Sequence, residues 1–230
     1  MNDVKTKQKN DEINYNNIII NIIIILVYLF VGVLGFPKEN QSFNQVYYFV
    51  VGILFLTIIN FIYYKDIKRD FIEFKQHLIK NFLSVLLKSF LCVVVVLIGN
   101  FLKDLLFGWI QMSSYELIYP NIGKYTLYVA FVMILYTPIV EGIIFNKSLH
   151  NLIKNNVLFV VLSSLIYGIM QVGIEFNNIL SVISIIPYML FFMVISITFV
   201  KKKNIIFPIL IWMIYSIITF LTQYTAVLGW

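Results

Sequence analysis

The stretch YTLYVAFVMILYTPIVEGIIFN, residues 125–146, contains 22 residues and only one formally charged side chain, Glu141. A helix needs roughly 20 apolar residues to cross the hydrocarbon core of a membrane. This stretch therefore predicts a transmembrane helix that carries a carboxyl group in its second half.

The whole chain has the composition of a polytopic membrane protein. Of its 230 residues, 60% are hydrophobic and 12% are charged, and the mean hydropathy is +0.89. A soluble domain has about a quarter charged residues. We predict an all-α transmembrane helical bundle forming one domain over residues 1–230. The predicted spans cover about 17–36, 47–64, 82–102, 125–146, 156–174, 179–200 and 204–223.

Basic residues predict how these seven spans are oriented. With a cytoplasmic N-terminus, thirteen Lys and Arg side chains fall on the cytoplasmic side, within residues 1–16, 65–81, 147–155 and 201–203. Three fall on the other side, and Lys88 lies within the third span. This asymmetry follows the positive-inside rule. An eighth or re-entrant span would move only the C-terminal tail, and residues 103–124 are expected at the membrane interface.

Several functional classes are disfavoured by the same composition. The net charge of +6 is explained by topology in a membrane protein, so it does not indicate a nucleic-acid partner. The single cysteine, Cys92, permits no internal disulfide. The only histidines, His77 and His150, are predicted at the cytoplasmic boundary, so we expect neither a metal site nor a cofactor. The first apolar run has full spanning length and is expected to be a retained helix, in a multi-pass protein of the cell membrane.

Glu141 is the residue that most needs an explanation. An isolated carboxylate in hydrocarbon would take up a proton, so this one must be neutral, exposed to water or paired. Pro138 lacks a backbone donor and is expected to disturb the helix one turn earlier. The other charged residue within a span, Lys88, lies at a similar predicted depth. A buried Lys88–Glu141 pair between the third and fourth spans is therefore one hypothesis, and snorkelling of Lys88 to the cytoplasm is the other.

Three short motifs share their order and spacing with a known family. EGIIFNKSL at 141–149, SSLIYGIMQ at 163–171 and FPILIWMIYS at 207–216 resemble the EExxxR, FxxxH and HxxxN/D motifs of the CPBP (CAAX protease and bacteriocin-processing, or Abi) intramembrane endopeptidases. The resemblance covers a core of about residues 120–220. In that family the first glutamate activates a water molecule, the two histidines assist it, and an Asn or Asp supports them.

The chain departs from this pattern at most of the catalytic positions. The resemblance places the first glutamate at Glu141, but Gly142 replaces the second glutamate and Asn146 replaces the arginine. The two histidine positions hold Gln171 and Trp212, and Ser216 stands at the Asn/Asp position. Neither Gln nor Trp can exchange a proton near neutral pH. No confident catalytic residue remains among these family-equivalent positions.

The resemblance to the family then implies a degenerate, non-proteolytic protein of the bacterial plasma membrane. It would act by binding a membrane or cell-envelope protein, in bacteriocin self-immunity, control of cell-wall hydrolases or signalling. Tyr167, Gln171, Tyr215 and Ser216 would then line a polar cavity, and Trp212 would fill the former catalytic cleft. Two alternatives stay open: an active CAAX-like endopeptidase that uses Glu141, and a small transporter with Glu141 at its binding site.

Overall fold

The computed structural model describes residues 18–32, 45–107, 124–172 and 183–228, which form helices and no strands. The helices, in chain order, are α1 (Ile18–Phe30), α2 (Gln45–Ile62), α3 (Tyr64–Gln76), α4 (Leu78–Phe107), α5 (Thr126–Leu152), α6 (Asn156–Val172), α7 (Ile185–Lys202) and α8 (Ile206–Leu228). Helices α2, α4, α5, α7 and α8 are long and apolar enough to cross a membrane, whereas α1 and α6 are shorter apolar helices. The predicted all-α membrane bundle is confirmed.

The predicted boundaries differ from those of the helices by up to six residues, as at the end of α5 (Leu152 instead of 146). Two further differences concern α4 and α3. Helix α4 begins at Leu78 and continues to Phe107, so it includes the first residues of the predicted interfacial region 103–124. The remainder of that region, from 108 to 123, lies outside the described residues. Residues 64–76 form a separate helix, α3, which contains charged residues between the second and third spans and buries Asp70 and Phe74 against the bundle.

Polar side chains end the helices at the short connections. The Asn155 Oδ1 atom accepts hydrogen bonds from the backbone N–H groups of Val157 and Leu158, and so caps α6. The Asn204 Oδ1 atom accepts from the Ile206 N–H group at the start of α8. Between α7 and α8, Lys203 adopts a left-handed conformation with φ of 50°. The connections between α5 and α6 and between α7 and α8 are only a few residues long, which is typical of neighbouring antiparallel helices.

The connections predicted to be cytoplasmic meet at one end of the bundle. The buried Asp70 carboxylate on α3 accepts a hydrogen bond of 2.8 Å from the Ile205 N–H group between α7 and α8. Asn204 donates to the Asp70 backbone carbonyl, also at 2.8 Å. On the same helix α3, Asp66 pairs with Lys147 of α5 at 3.5 Å. Three segments that the basic residues assigned to one side of the membrane are therefore in direct contact.

Helices α4, α5, α7 and α8 form the centre of the bundle, and α6 packs along α7. Close approach requires glycine at two of these contacts. A Cβ atom on Gly168 of α6 would lie 2.6 Å from Ile185 Cγ2, and one on Gly99 of α4 would lie 2.9 Å from the Pro187 Cα atom. Small residues at helix interfaces are characteristic of membrane bundles, because they let two backbones approach.

Candidate functional site around Glu141

Helix α5 changes its winding on both sides of Glu141. An α-helical turn, Thr137–Gly142, lies between two π-helical segments, Phe131–Tyr136 and Ile143–Ser148. The Thr137 N–H group accordingly bonds to the Val132 carbonyl, five residues earlier. Pro138 has no N–H group to donate, and the wider turn before it accommodates that loss without ending the helix. Short π-helical segments occur often at functional sites.

Tyr28 of α1 is the hydrogen-bond partner of Glu141. Its hydroxyl donates to the Glu141 Oε1 atom over 2.6 Å. Both side chains are buried, with 1% of Tyr28 and 8% of Glu141 exposed. The second carboxyl oxygen, Oε2, is buried and has no hydrogen-bond partner among the described residues. The carboxyl group is thus held at one oxygen by a helix 113 residues away in sequence, while the other oxygen retains its capacity to bond.

Asn146, at the position of the family's arginine, bonds to its own helix. Its Nδ2 atom donates to the Gly142 carbonyl over 3.0 Å, and the side chain is fully buried. Its Oδ1 atom is buried, and no described residue donates to it. Asn146 therefore provides no cation for Glu141. In the described part of the chain, neither Glu141 Oε2 nor Asn146 Oδ1 receives a hydrogen bond.

The structure does not form the Lys88–Glu141 pair. Lys88 is half-buried on α4 and makes no ion pair or hydrogen bond with the described residues. Glu141 accepts its hydrogen bond from Tyr28. Similar predicted depth makes such a pair possible, but depth does not determine which faces of two helices meet. Here α4 packs mainly against α7 and α8, whereas Glu141 is met by α1.

An aromatic cluster occupies the region where the second and third motifs converge. Trp212, only 3% exposed, packs edge-on against Tyr167 at 5.2 Å, Phe191 at 5.4 Å and Phe192 at 5.6 Å between ring centroids. Tyr167 also stacks on Phe192 at 4.6 Å. We call Phe145, Tyr167, Phe191, Phe192 and Trp212 the aromatic cluster. Its rings fill the space between α5, α6, α7 and α8 with apolar surface.

The remaining predicted lining residues surround this cluster at different depths. Tyr215 packs on Phe191 with ring centroids 4.5 Å apart, and Ser216 is buried with 5% exposure. Gln171 is half-buried close to the end of α6. It lies 15 residues from the start of α6, about 22 Å along the axis, whereas Glu141 lies about 16 Å from the end of α5. Counted along the helices, Gln171 is therefore about one turn farther than Glu141 from the connection between α5 and α6.

Neither histidine lies against Glu141. The His150 Nε2 atom hydrogen-bonds the Asn156 Oδ1 atom at 3.1 Å, and the ring packs edge-on against Phe159. His77 is exposed at the junction of α3 and α4. Within the described residues, no three His, Cys, Asp or Glu side chains form a group that could hold a metal ion. The described site thus offers a single carboxyl group, with amides, hydroxyls and aromatic rings around it.

A comparison with protein families identifies the segment that carries this site. Residues 123–218 match the family model described as type II CAAX prenyl endopeptidase Rce1-like. Residues 123–218, which are less than half of the chain, are similar to this family, and we call them the Rce1-like segment. The family resemblance predicted from the three motifs is confirmed, because all three lie within the matched range. No curated protein and no solved structure matched the chain.

Helices α1 to α4 precede the Rce1-like segment and contribute to its site. Tyr28, the partner of Glu141, lies on α1, and Ser89 of α4 donates a hydrogen bond to the Ile211 carbonyl one residue before Trp212. Sequence reasoning missed Tyr28, because the motifs that indicate the site are confined to the matched segment. The available signal was a tyrosine and an asparagine, Asn21, seven residues apart within the otherwise apolar first span.

Proposed function

We propose that this protein is a non-proteolytic Rce1-like membrane protein that acts by binding another membrane or cell-envelope protein. The main support for this proposal is the burial of Trp212 in the aromatic cluster, at the position of a family histidine. An indole in apolar surroundings can neither accept a proton nor orient a water molecule as imidazole does. The rings around it also surround this position with apolar surface.

The hydrogen bonding of Glu141 supports a structural role for that acid. Tyr28 fixes Oε1, and the amide at position 146 bonds the helix backbone without reaching the acid. General base catalysis needs partners that hold and relay protons around the attacking water. In this site those partners are replaced by groups that pack or donate a single fixed hydrogen bond.

The outer surfaces of α2 and α4 supply the area for a partner. Only 17% of the residues in the α2 span and 28% of those in the α4 span are buried. Lys88 lies on α4 as a half-buried cation that pairs with no acid in the described part of the chain. Ionisable residues within spans are costly and commonly pair with an opposite charge. We therefore expect the partner to present an acidic residue from its own transmembrane helix to Lys88.

A protease assay tests the first half of the proposal. Purified protein in proteoliposomes is mixed in excess with a prenylated CAAX peptide, and a single turnover is followed by mass spectrometry. We expect no cleavage above the level of empty liposomes, and no difference between the wild type and Glu141→Gln. Cleavage that is lost in Glu141→Gln would overturn the proposal in favour of an endopeptidase.

A crosslinking experiment tests the second half. A photoreactive amino acid replaces Leu87 or Leu91, exposed residues of α4 beside Lys88, in the membranes that naturally contain the protein. We expect a specific membrane-protein adduct that is lost with Lys88→Gln and kept with Lys88→Arg. Lys80→Gln, an exposed lysine at the cytoplasmic end of α4, is the matched control and should leave the adduct unchanged. Adducts that are equal in all three variants would exclude Lys88 as the contact.

A second candidate function is an endopeptidase in which Glu141 works with atypical helpers. The observation that favours it is the Glu141 Oε2 atom, which is buried, receives no hydrogen bond from the described residues, and so could bond a water molecule. The protease assay separates the two candidates, because only the endopeptidase requires the carboxylate for turnover.

A further inference from the structure

A second polar site lies at the cytoplasmic end of the bundle, about two helical turns from Glu141 along α5. It is a cavity of about 340 Å³ whose polar walls are Asn21, Tyr63, Asp66, Lys147 and Asn151. We call it the polar cavity. Only Lys147 and Asn151 belong to the Rce1-like segment, since Asn21 is on α1, Tyr63 follows α2 and Asp66 is on α3. The first three helices therefore build most of this site.

The inner wall of the polar cavity is a connected set of neutral hydrogen bonds. The Tyr63 hydroxyl donates to Asn21 Oδ1 over 2.6 Å and lies 2.7 Å from Ser148 Oγ, which donates to it in turn. Asn151 Nδ2 also donates to Asn21 Oδ1, at 3.5 Å. Asn21, Tyr63 and Ser148 are all buried, with 3%, 7% and 0% exposure. Burial raises the pKa of the Tyr63 phenol, so this wall stays uncharged.

Two opposite charges form an ion pair in the outer part of the polar cavity. Lys147 Nζ lies 3.5 Å from Asp66 Oδ2, and their side chains are 20% and 33% exposed. Asp66 is also contacted by Arg69, at 3.1 Å. An ammonium group has three donors and a carboxylate about four acceptor positions, so both retain bonding capacity. A ligand that carries both an anion and a primary ammonium group would complement this pair.

The size of the polar cavity suits a small ligand. Pockets for small molecules have volumes of roughly 300–1,000 Å³, and one water molecule occupies about 30 Å³ in the liquid. The polar cavity, at about 340 Å³, is thus far larger than the site of one structural water and lies at the small end of the ligand range. A phosphate joined to an ethanolamine group has the matching charge pattern.

Apolar residues connect the polar cavity to the lipid-facing surface. Ile20 and Ile62 also line it, and they are 43% and 42% exposed. They continue the exposed apolar faces of α1 and α2, which include Ile19, Ile23, Ile58 and Phe61. Since the cavity lies where α1 begins and α2 ends, it is placed at the membrane interface. A headgroup bound there would leave its acyl chains along these two helices.

We propose that the polar cavity binds the headgroup of phosphatidylethanolamine, with the phosphate at Lys147 and Asn151 and the ammonium at Asp66. The neutral wall of Asn21, Tyr63 and Ser148 holds α1, α2 and α5 together behind the headgroup. This site is separate from Glu141 and does not depend on the proposed function, because it requires neither proteolysis nor a protein partner.

Native mass spectrometry of the full-length protein tests the proposal. The delipidated protein is titrated with phosphatidylethanolamine, phosphatidylglycerol and phosphatidylcholine of equal acyl chains. We expect at least tenfold preference for phosphatidylethanolamine, equivalent to about 1.4 kcal/mol. Phosphatidylglycerol lacks the ammonium, and phosphatidylcholine lacks its N–H donors. Equal affinity for the three lipids would overturn the proposal, and so would displacement of the lipid by free glycerophosphoethanolamine at the same concentration.

Variants of the polar cavity make the test specific. Asp66→Asn should remove most of the preference, because Asp66 is assigned to the ammonium that distinguishes phosphatidylethanolamine. Lys147→Gln should weaken binding of all three lipids, because each of them carries the phosphate. Lys68→Gln, on the exposed face of α3, should change neither the affinity nor the preference. The partly exposed pair contributes little to stability, about 0–1 kcal/mol, so the variants are expected to fold. Asn151→Asp adds an anion beside the phosphate and should weaken binding independently. Full preference retained in Asp66→Asn would refute the assignment of the ammonium.

Discussion

At the scale of the residue, Glu141 persists inside an apolar bundle because Tyr28 meets one of its oxygens. The hydrogen bond of 2.6 Å joins α1 to α5 and gives a buried polar group its partner. A buried polar group without a partner costs about 1–3 kcal/mol. Tyr28 is thus a positioning residue for the acid, and the contact is also part of what holds α1 in the bundle.

We expect Tyr28→Phe to destabilise the protein by about 1–3 kcal/mol, because the change removes the hydroxyl donor and leaves Glu141 Oε1 unsatisfied. The ring volume is conserved, so little packing is lost. Equilibrium unfolding in mixed micelles measures the difference in free energy.

A double-mutant cycle with Glu141→Leu provides the control. If the contact is responsible, Tyr28→Phe should cost much less in the Glu141→Leu background than in the wild type. A cost that is the same in both backgrounds would show that the tyrosine hydroxyl acts elsewhere.

The sequence could predict which residues of the site are unusual but not which residues meet. A charge within an apolar span is visible in the sequence, so Glu141 and Lys88 were both recognised. Their similar depth suggests a pair, yet Glu141 bonds Tyr28, which lies 113 positions earlier in the chain. Contacts between distant helices depend on the rotation of each helix about its axis, which hydropathy alone does not determine for spans surrounded by lipid.

At the scale of the element, α6 and α7 are joined by a contact that only glycine permits. A Cβ atom at Gly168 would lie 2.6 Å from Ile185 Cγ2, 2.9 Å from Met189 Cγ and 3.1 Å from the Ile185 carbonyl oxygen. Ile185 is β-branched and has little rotamer freedom to withdraw. The two helices must therefore separate if a side chain is added there.

Gly168→Ala should lower stability by about 1–3 kcal/mol, the usual cost of overpacking. The sign of this stability change distinguishes a tight contact from open space, since Gly→Ala in an open helix position raises helix stability by about 1 kcal/mol. Thermal unfolding in detergent, followed by circular dichroism, would measure the change.

Gly142→Ala is the matched control on α5. Its added Cβ would meet a single side-chain atom, Ile209 Cγ1, at 3.3 Å, so a much smaller effect is expected. Equal or greater destabilisation by Gly142→Ala would contradict the ranking of the two contacts.

The existence of the helices could be predicted from the sequence, but their internal winding could not. Apolar length predicted where the helices lie, because the membrane thickness sets a lower bound on the length of a spanning helix. Five of the described helices reach that length, whereas α1 and α6 are shorter. The two π-helical segments of α5 are different, since an apolar sequence of this kind looks the same in α and π winding. Pro138 indicated that something changes in α5 near Glu141, but not that the helix would continue through it.

At the scale of the whole molecule, the direct contacts of α3 with α5 and with the α7–α8 connection define one face of the bundle. The charge asymmetry assigns that face to the cytoplasm. The contacts between Asp70 and Ile205 and between Asp66 and Lys147 are independent of this rule, because they arise from packing. The contacts thus agree with the prediction that these segments lie on the same side of the membrane, and which side that is stays a prediction from the charge asymmetry.

Cysteine labelling would test this orientation. In a Cys92→Ala background, single cysteines at His77, Lys154 and Lys203, all exposed, should react with a membrane-impermeant maleimide only in inside-out vesicles. A cysteine at Lys124, exposed at the start of α5, should react only in right-side-out vesicles. Labelling of His77 and Lys203 from opposite sides would contradict the shared face.

The contacts between α1 and α5 are spaced alike on both helices. Tyr28 and Asn21 are seven residues apart, and so are Glu141 and Ser148, which they meet directly or through Tyr63. Seven residues make about two turns, and deleting one residue rotates the two ends of a helix relative to each other by about 100°. A one-residue insertion or deletion between Asn21 and Tyr28 would therefore prevent Tyr28 from bonding Glu141 while Asn21 still bonds Tyr63. The length of this short interval is thus as constrained as its composition.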